Sequence, residues 1–205
     1  MSAMCGMGRT GTMMAWEQEE GDASPDIMTI GKGLGGGYSP IAGILVNEDI
    51  IAQLDQGTGC FNRGHTYQAH PTSCAATLAV QTVIKREGLV QRCAKMGKLL
   101  KASLKKTFAD ETHVGEIHGR GLFWAIEFVS DKTNKAPFDP VLKVGLAVQK
   151  QALELGVNVY PGGGSIDGVR GDHVLIAPPY TVTEAEIKTI TSVVLKAYMK
   201  VVSRL

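Results

Sequence analysis

The chain has 205 residues, 44% of them hydrophobic and 20% charged, and its 21 basic and 20 acidic side chains leave a formal net charge of +1. This length can bury a core in one or two domains, and the hydrophobic share argues against a disordered chain. The near-neutral balance gives no support to a nucleic-acid partner, and no apolar window is long enough to span a bilayer.

The first residues, "MSAMCGMGRTG", have neither the basic start nor the apolar stretch of a signal peptide, so a soluble, cytoplasmic protein without a membrane partner is expected. They also enter glycine-rich sequence within six residues of Met1, which suggests a piece of something longer. Cys5, Cys60, Cys74 and Cys93 form no C-x-x-C pair and read as reduced thiols. No metal-ligand set is expected: His65 and His70, five apart in a loop with Pro71, suit turn hydrogen bonding.

In chain order, "PDIMTI" (25–30) reads as a strand, followed by the glycine run "GKGLGGGYSP" and a second strand, "IAGILV". A short helix begins near "NEDIIAQLD". A polar loop covers 56–73. From Cys74, small and apolar residues recur at helical spacing up to Gly88, and a second helical pattern runs through Leu89, Cys93, Leu100, Leu104 and Phe108. "VGEIHGRGLFWAIEFV" (114–129) suits two short strands around a turn, and 140–155 a helix ended by Gly156. "VNVYP" and "DHVLIAPPY" suit strands. A closing helix follows, with Thr183 as N-cap and Glu186 at capping-box spacing. The expected boundary falls near residue 110, with an α/β segment over 1–110 and a small α+β domain over 111–205.

Two segments, "GMGRTG" and "GKGLGG", match G-x-G-x-x-G. A dinucleotide site needs a strand before the motif and a helix after it. The first has no room for the strand, and the second runs into Pro40 instead of a helix. Nor is Lys32 followed by the Ser or Thr of a phosphate-binding loop, since Gly33 stands there. A lysine flanked by glycines has another use: its amine can form a Schiff base with a carbonyl, while the glycines let the backbone approach a flat cofactor. The plain alternative is a solvated lysine in a turn.

The longer segment "GMGRTGTMMAWEQEEGDASPDIMTIGKGLGGGYSPIAGIL" resembles the cofactor-lysine region of class III aminotransferases, enzymes of fold type I that use pyridoxal 5'-phosphate (PLP). The resemblance continues through "FNRGHTYQAHPTSCAA", "RGLFWAIEFV" and "GDHVLIAPPYTVT". It implies that Lys32 is the catalytic Schiff-base lysine and that Thr66 binds the cofactor phosphate of a neighbouring subunit, hence a homodimer. The implied substrates are small molecules, an amine or amino acid and a keto acid. Other fold type I reactions, such as decarboxylation or epimerisation, would use the same lysine.

The chain departs from the family at two places. An aspartate that pairs with the cofactor's ring nitrogen is expected just before "MCGMGRTG", where Met1, Ser2 and Ala3 stand, and family members carry many further residues upstream. The expected fold class is therefore α/β, with a partial PLP-transferase fold type I large domain followed by a small α+β C-terminal domain. The chain is expected to be a C-terminal half, truncated and impaired as an aminotransferase; the alternative is a non-catalytic relic or dimerisation partner of a longer relative. The second departure is Leu175 in "LIAPP", where members acting on ornithine-like substrates have a carboxylate-gripping arginine. That points toward amines or ω-amino acids as donors. Arg170 in "GVRGDH" is a candidate substrate-binding arginine, against the alternative of a solvated loop residue.

Overall fold

The computed structural model describes residues 4–21, 23–62 and 64–205, which divide into two compact units, Met1–Arg92 and Cys93–Leu205. The boundary expected near residue 110 lies within the second unit. Among the described residues no helix is long and apolar enough to cross a membrane.

In the first unit, β1 (Ile27–Gly31) and β2 (Ala42–Val46) form an antiparallel pair, in register from Ile27 opposite Val46 to Gly31 opposite Ala42. β-branched and apolar residues supply the pleat, and Asp26 and Asn47 tie the open end: the Asn47 N–H donates to the Asp26 carbonyl at 2.9 Å. Asn47 then caps α1 (Glu48–Gln56), its side-chain oxygen accepting the Ile50 N–H at 3.0 Å. Glu48 and Asp49 in the first turn suit the helix dipole. α2 (Pro71–Arg86) starts at Pro71, three residues before the expected Cys74. Proline at the first helical position lacks only an N–H that would have no partner in the helix.

The second unit is a four-stranded antiparallel sheet with helices packed on one face. α3 (Leu89–Thr107) contributes Cys93, Met96, Leu100 and Leu104 to the core, followed by Phe108 beyond its end. β3 (Val114–Arg120) and β4 (Phe123–Phe128) form the expected hairpin; β5 (Tyr160–Gly163) and β6 (Asp172–Ile176) complete the order β3-β4-β6-β5. Trp124, Ile126 and Phe128 alternate on the core face of β4, as period-two geometry requires. Between β4 and β5 lies α4 (Val144–Glu154), with Val144, Val148 and Ala152 fully buried.

The strand expected at "VNVYP" begins only at Tyr160. The Val157 N–H donates to the Ala152 carbonyl at 2.9 Å around Gly156, whose φ of 91° closes the helix, so Val157 still belongs to the end of α4. The closing helix α5 (Glu184–Val202) carries the expected capping box: Thr183 Oγ1 accepts the Glu186 N–H at 3.2 Å, and Glu186 Oε2 accepts the Thr183 N–H at 2.7 Å. Such a cap is worth about 1 kcal/mol. Near its far end Tyr198 stacks on Phe128 with centroids 5.8 Å apart, meets Phe108 edge-on, and accepts the His113 N–H at 3.2 Å through its hydroxyl. Burial pushes the Tyr198 phenol pKa upward.

Candidate active site

Lys32 stands at the exit of β1, the first residue of a single 3-10 turn that ends at Leu34. Its φ is 47°, a left-handed conformation that costs a non-glycine residue on the order of 1 kcal/mol or more. The side chain is exposed, and among the described residues Nζ has no hydrogen-bond or ion-pair partner. An amine on a strained backbone position, with no partner among the described residues, is available to react with a carbonyl.

Two glycines of the run after Lys32, Gly35 and Gly37, are required by the loop's own conformation. A Cβ on Gly35 would lie 2.7 Å from the Ser39 carbonyl oxygen and 2.9 Å from the Ile41 side chain, so no larger residue fits without moving the backbone. Gly37, by contrast, faces open space and is needed for its φ of 84°. α2 holds the loop from one side: Gln81 Nε2 donates to the Leu34 carbonyl at 2.9 Å, and the Ser39 and Ser73 hydroxyls bond at 2.8 Å. The run that in sequence could pass for a flexible spacer is a folded turn docked on a helix.

An open cavity of about 810 Å³ lies beside this loop. Its walls come from residues 40–42 after the glycine run, from the 65–70 loop and from Ser73 and Cys74 at the start of α2. His65 Nδ1 accepts the Tyr67 N–H at 3.1 Å, a hydrogen bond within the turn. Thr66 is exposed on the same loop, and its hydroxyl has no partner among the described residues. Neither Lys32 nor Thr66 lines this cavity, and no hydrogen bond joins the two.

Arg170 lies in the second unit, on the loop between β5 and β6. Its Nε donates to Asp167 Oδ2 at 2.7 Å. Asp167 is the neighbour that sequence reading missed; the signal was an Asp-Gly turn three residues ahead of the arginine. Leu175 sits in β6 between Ala125 of β4 and Tyr160 of β5.

A family model described as aminotransferase class-III matches residues 3–198. An uncharacterised aminotransferase of Schizosaccharomyces pombe is 52% identical over 199 residues, 93% of this chain and 43% of that protein. An aminotransferase of Gibberella zeae is 45% identical over 195 residues, 95% of this chain and 38% of that one. Among solved structures, a transaminase from directed evolution by ancestral reconstruction superposes with a TM-score of 0.91 at 36% identity, over 100% of this chain and 44% of its own. The chain thus spans less than half the length of the relatives it matches.

These matches correct the expectation of a partial fold type I large domain in a truncated, impaired C-terminal half. The family model runs through both units, and the superposition takes in the whole chain, so the architecture is carried through the described residues and no finding supports impairment. The alternative of a non-catalytic relic loses its basis with it. That expectation leaned on Met1, Ser2 and Ala3, which lie outside the described residues.

Proposed function

We propose, since the chain belongs to the class III aminotransferase family, that it serves a PLP-dependent transfer of an amino group from an amine or amino acid to a keto acid. Family membership implies PLP as the cofactor, and the residues present fit it: among the described residues Lys32 offers an amine and Thr66 a hydroxyl without a partner. When bound, PLP supplies an aldehyde that condenses with amines and a ring that draws electrons from the substrate carbon. Lys32 would hold the cofactor through Nζ. Released by the incoming amine, the same Nζ would act as general base, moving the proton at the substrate carbon that bears nitrogen.

Thr66 would donate its hydroxyl to a cofactor phosphate oxygen. We place that phosphate in a partner copy, because the Thr66 loop carries Tyr67 at 76% exposure, a large apolar side chain more readily explained by a covering subunit than by water. Leu175 offers no charge to a carboxylate, so amines or ω-amino acids are the proposed donors, with Arg170 receiving the carboxylate of the keto acid.

The observation that carries this reading is Lys32, strained and without a partner among the described residues. It is tested by incubating the purified chain with PLP, reducing with borohydride and mapping the phosphopyridoxyl group by peptide mass spectrometry. A dominant adduct on the Lys32 peptide, absent in Lys32→Ala, is expected. Adducts spread over surface lysines such as Lys95, Lys98 and Lys101 would overturn the assignment.

A further inference from the structure

The sheet of the second unit has one face in the core and one open. β3 and β4 place three side chains together on the open face: Glu116 and His118, two residues apart on β3, and Glu127 on β4 directly opposite Glu116. One ligand atom from each lies within 4.8 Å of the other two, and His118 Nδ1 is 3.8 Å from Glu127 Oε1. The sequence alone shows no such grouping, because its members come from two strands.

A bulge creates the arrangement. Val114 pairs with Phe128 on the core face, and the register then shifts by one residue at Gly115, so that Glu116 meets Glu127 and not Ile126. Without that shift Glu116 would point into the core beside Ile126, and the cluster would not exist. Bulges re-aim individual side chains and are found next to functional sites. This one aims a carboxylate at another carboxylate. Like charges directly opposite in an antiparallel ladder are destabilising, so the placement works against the hairpin unless a cation answers it. Lys135 Nζ reaches Glu116 at 3.3 Å, but with 65% and 52% exposure of the two side chains this pair contributes little and is easily displaced.

We propose that Glu116, His118 and Glu127 form a binding site for a divalent transition-metal ion of the Zn²⁺ class. One imidazole nitrogen and two carboxylate oxygens are ligands that Zn²⁺ takes at about 2.0–2.2 Å, and two of the three side chains are exposed and the third half-buried. The imidazole favours zinc, copper or nickel over magnesium or calcium, which prefer an all-oxygen shell. Three protein ligands leave the remaining positions to water. Cross-linking an edge strand to its neighbour, the ion would hold the β3–β4 hairpin in its bulged register.

The test is titration of metal-free protein with ZnCl₂ and, separately, MgCl₂ by isothermal calorimetry. The expected result is one Zn²⁺ site and no Mg²⁺ heat. His118→Ala and Glu127→Gln should each weaken Zn²⁺ binding at least about tenfold, since loss of even an outer-sphere partner of a metal commonly costs that much. Lys135→Ala, which removes the competing ammonium, should tighten it. His70→Ala, an exposed position in the first unit, is the control and should leave it unchanged. All four positions are exposed or half-buried, and far-UV circular dichroism verifies that each variant folds. Absence of a Zn²⁺ site, or one that survives both His118→Ala and Glu127→Gln and is lost in Cys60→Ser or Cys74→Ser, would overturn the proposal.

Discussion

Arg170 and Asp167 hold each other across a three-residue turn: Nε donates to Oδ2 at 2.7 Å, while Oδ1 accepts the Arg170 N–H at 2.7 Å and the Val169 N–H at 3.0 Å. The Arg170 N–H contributes most, then its guanidinium, then the Val169 N–H, and together they bring the Asp167 carboxyl from 3.8 down to about 2. Because the folded value is depressed, this loop's contribution to stability is complete above pH 3.8 and is lost as pH falls toward 2. A carboxyl-carbon NMR titration should give Asp167 a midpoint near 2 in the native chain. In Arg170→Ala the midpoint should rise only part of the way, because the strongest donor is a backbone N–H that the substitution retains. A native midpoint of 3.8 would remove the clasp.

If Arg170 receives a substrate carboxylate, its two terminal guanidinium nitrogens are the donors, since the bond to Asp167 uses Nε. Arg170→Ala should then raise KM for a keto acid by about 10- to 100-fold, the span of a charge-assisted hydrogen bond of roughly 1.5–3 kcal/mol. KM for an amine donor without a carboxylate should not move. Equal effects on both substrates, measured by steady-state kinetics, would return Arg170 to the status of a loop residue that only closes the Asp167 turn.

Thr66 tests the subunit assignment. Removing its hydroxyl in Thr66→Val should weaken PLP retention by roughly tenfold or more, as loss of a hydrogen bond to a charged phosphate predicts. Spectrophotometric titration with PLP reads this directly. Mixing Thr66→Val with Lys32→Ala protein separates the two geometries: if Thr66 serves the partner's site, mixed dimers contain one site with both residues intact. Recovery of tight PLP binding in the mixture is expected; none would place Thr66 in its own subunit's site.

Much of the fold was legible in the sequence because period and punctuation agree there. Thr183 and Glu186 marked the start of α5 by a spacing that has one physical meaning, and "VGEIHGRGLFWAIEFV" showed a hairpin through its glycines. Lys32 was found for a different reason, since the surrounding motifs, not its own chemistry, singled it out. The left-handed backbone at Lys32 could not be read, because no residue-type rule predicts a positive φ at lysine. The Asp167 clasp and the Glu116–Glu127 pairing were also invisible. The first depends on a rotamer, and the second on a one-residue bulge that moves a side chain from one face to the other. Periodicity identifies which residues form a strand; it does not report where the register slips.

Gly97 offers a case in which helix propensity and packing pull in opposite directions. It lies inside α3, where replacing glycine by alanine ordinarily gains about 1 kcal/mol. Here a Cβ would stand 2.3 Å from the Gly121 carbonyl oxygen and 2.5 Å from its Cα, contacts that can be relieved only by moving the β3–β4 turn away from the helix. Gly121 itself has a φ of 53° and its carbonyl accepts the Trp124 indole N–H at 2.7 Å, so the displaced turn would pull on a buried core residue. Overpacking of this kind costs about 1–3 kcal/mol, and backbone on the opposing side leaves little room to relax. The clash should outweigh the propensity gain. Gly97→Ala is expected to lower stability in urea or thermal unfolding despite being a better helix former. An increase would show that the turn after β3 yields more readily than its hydrogen bonding implies.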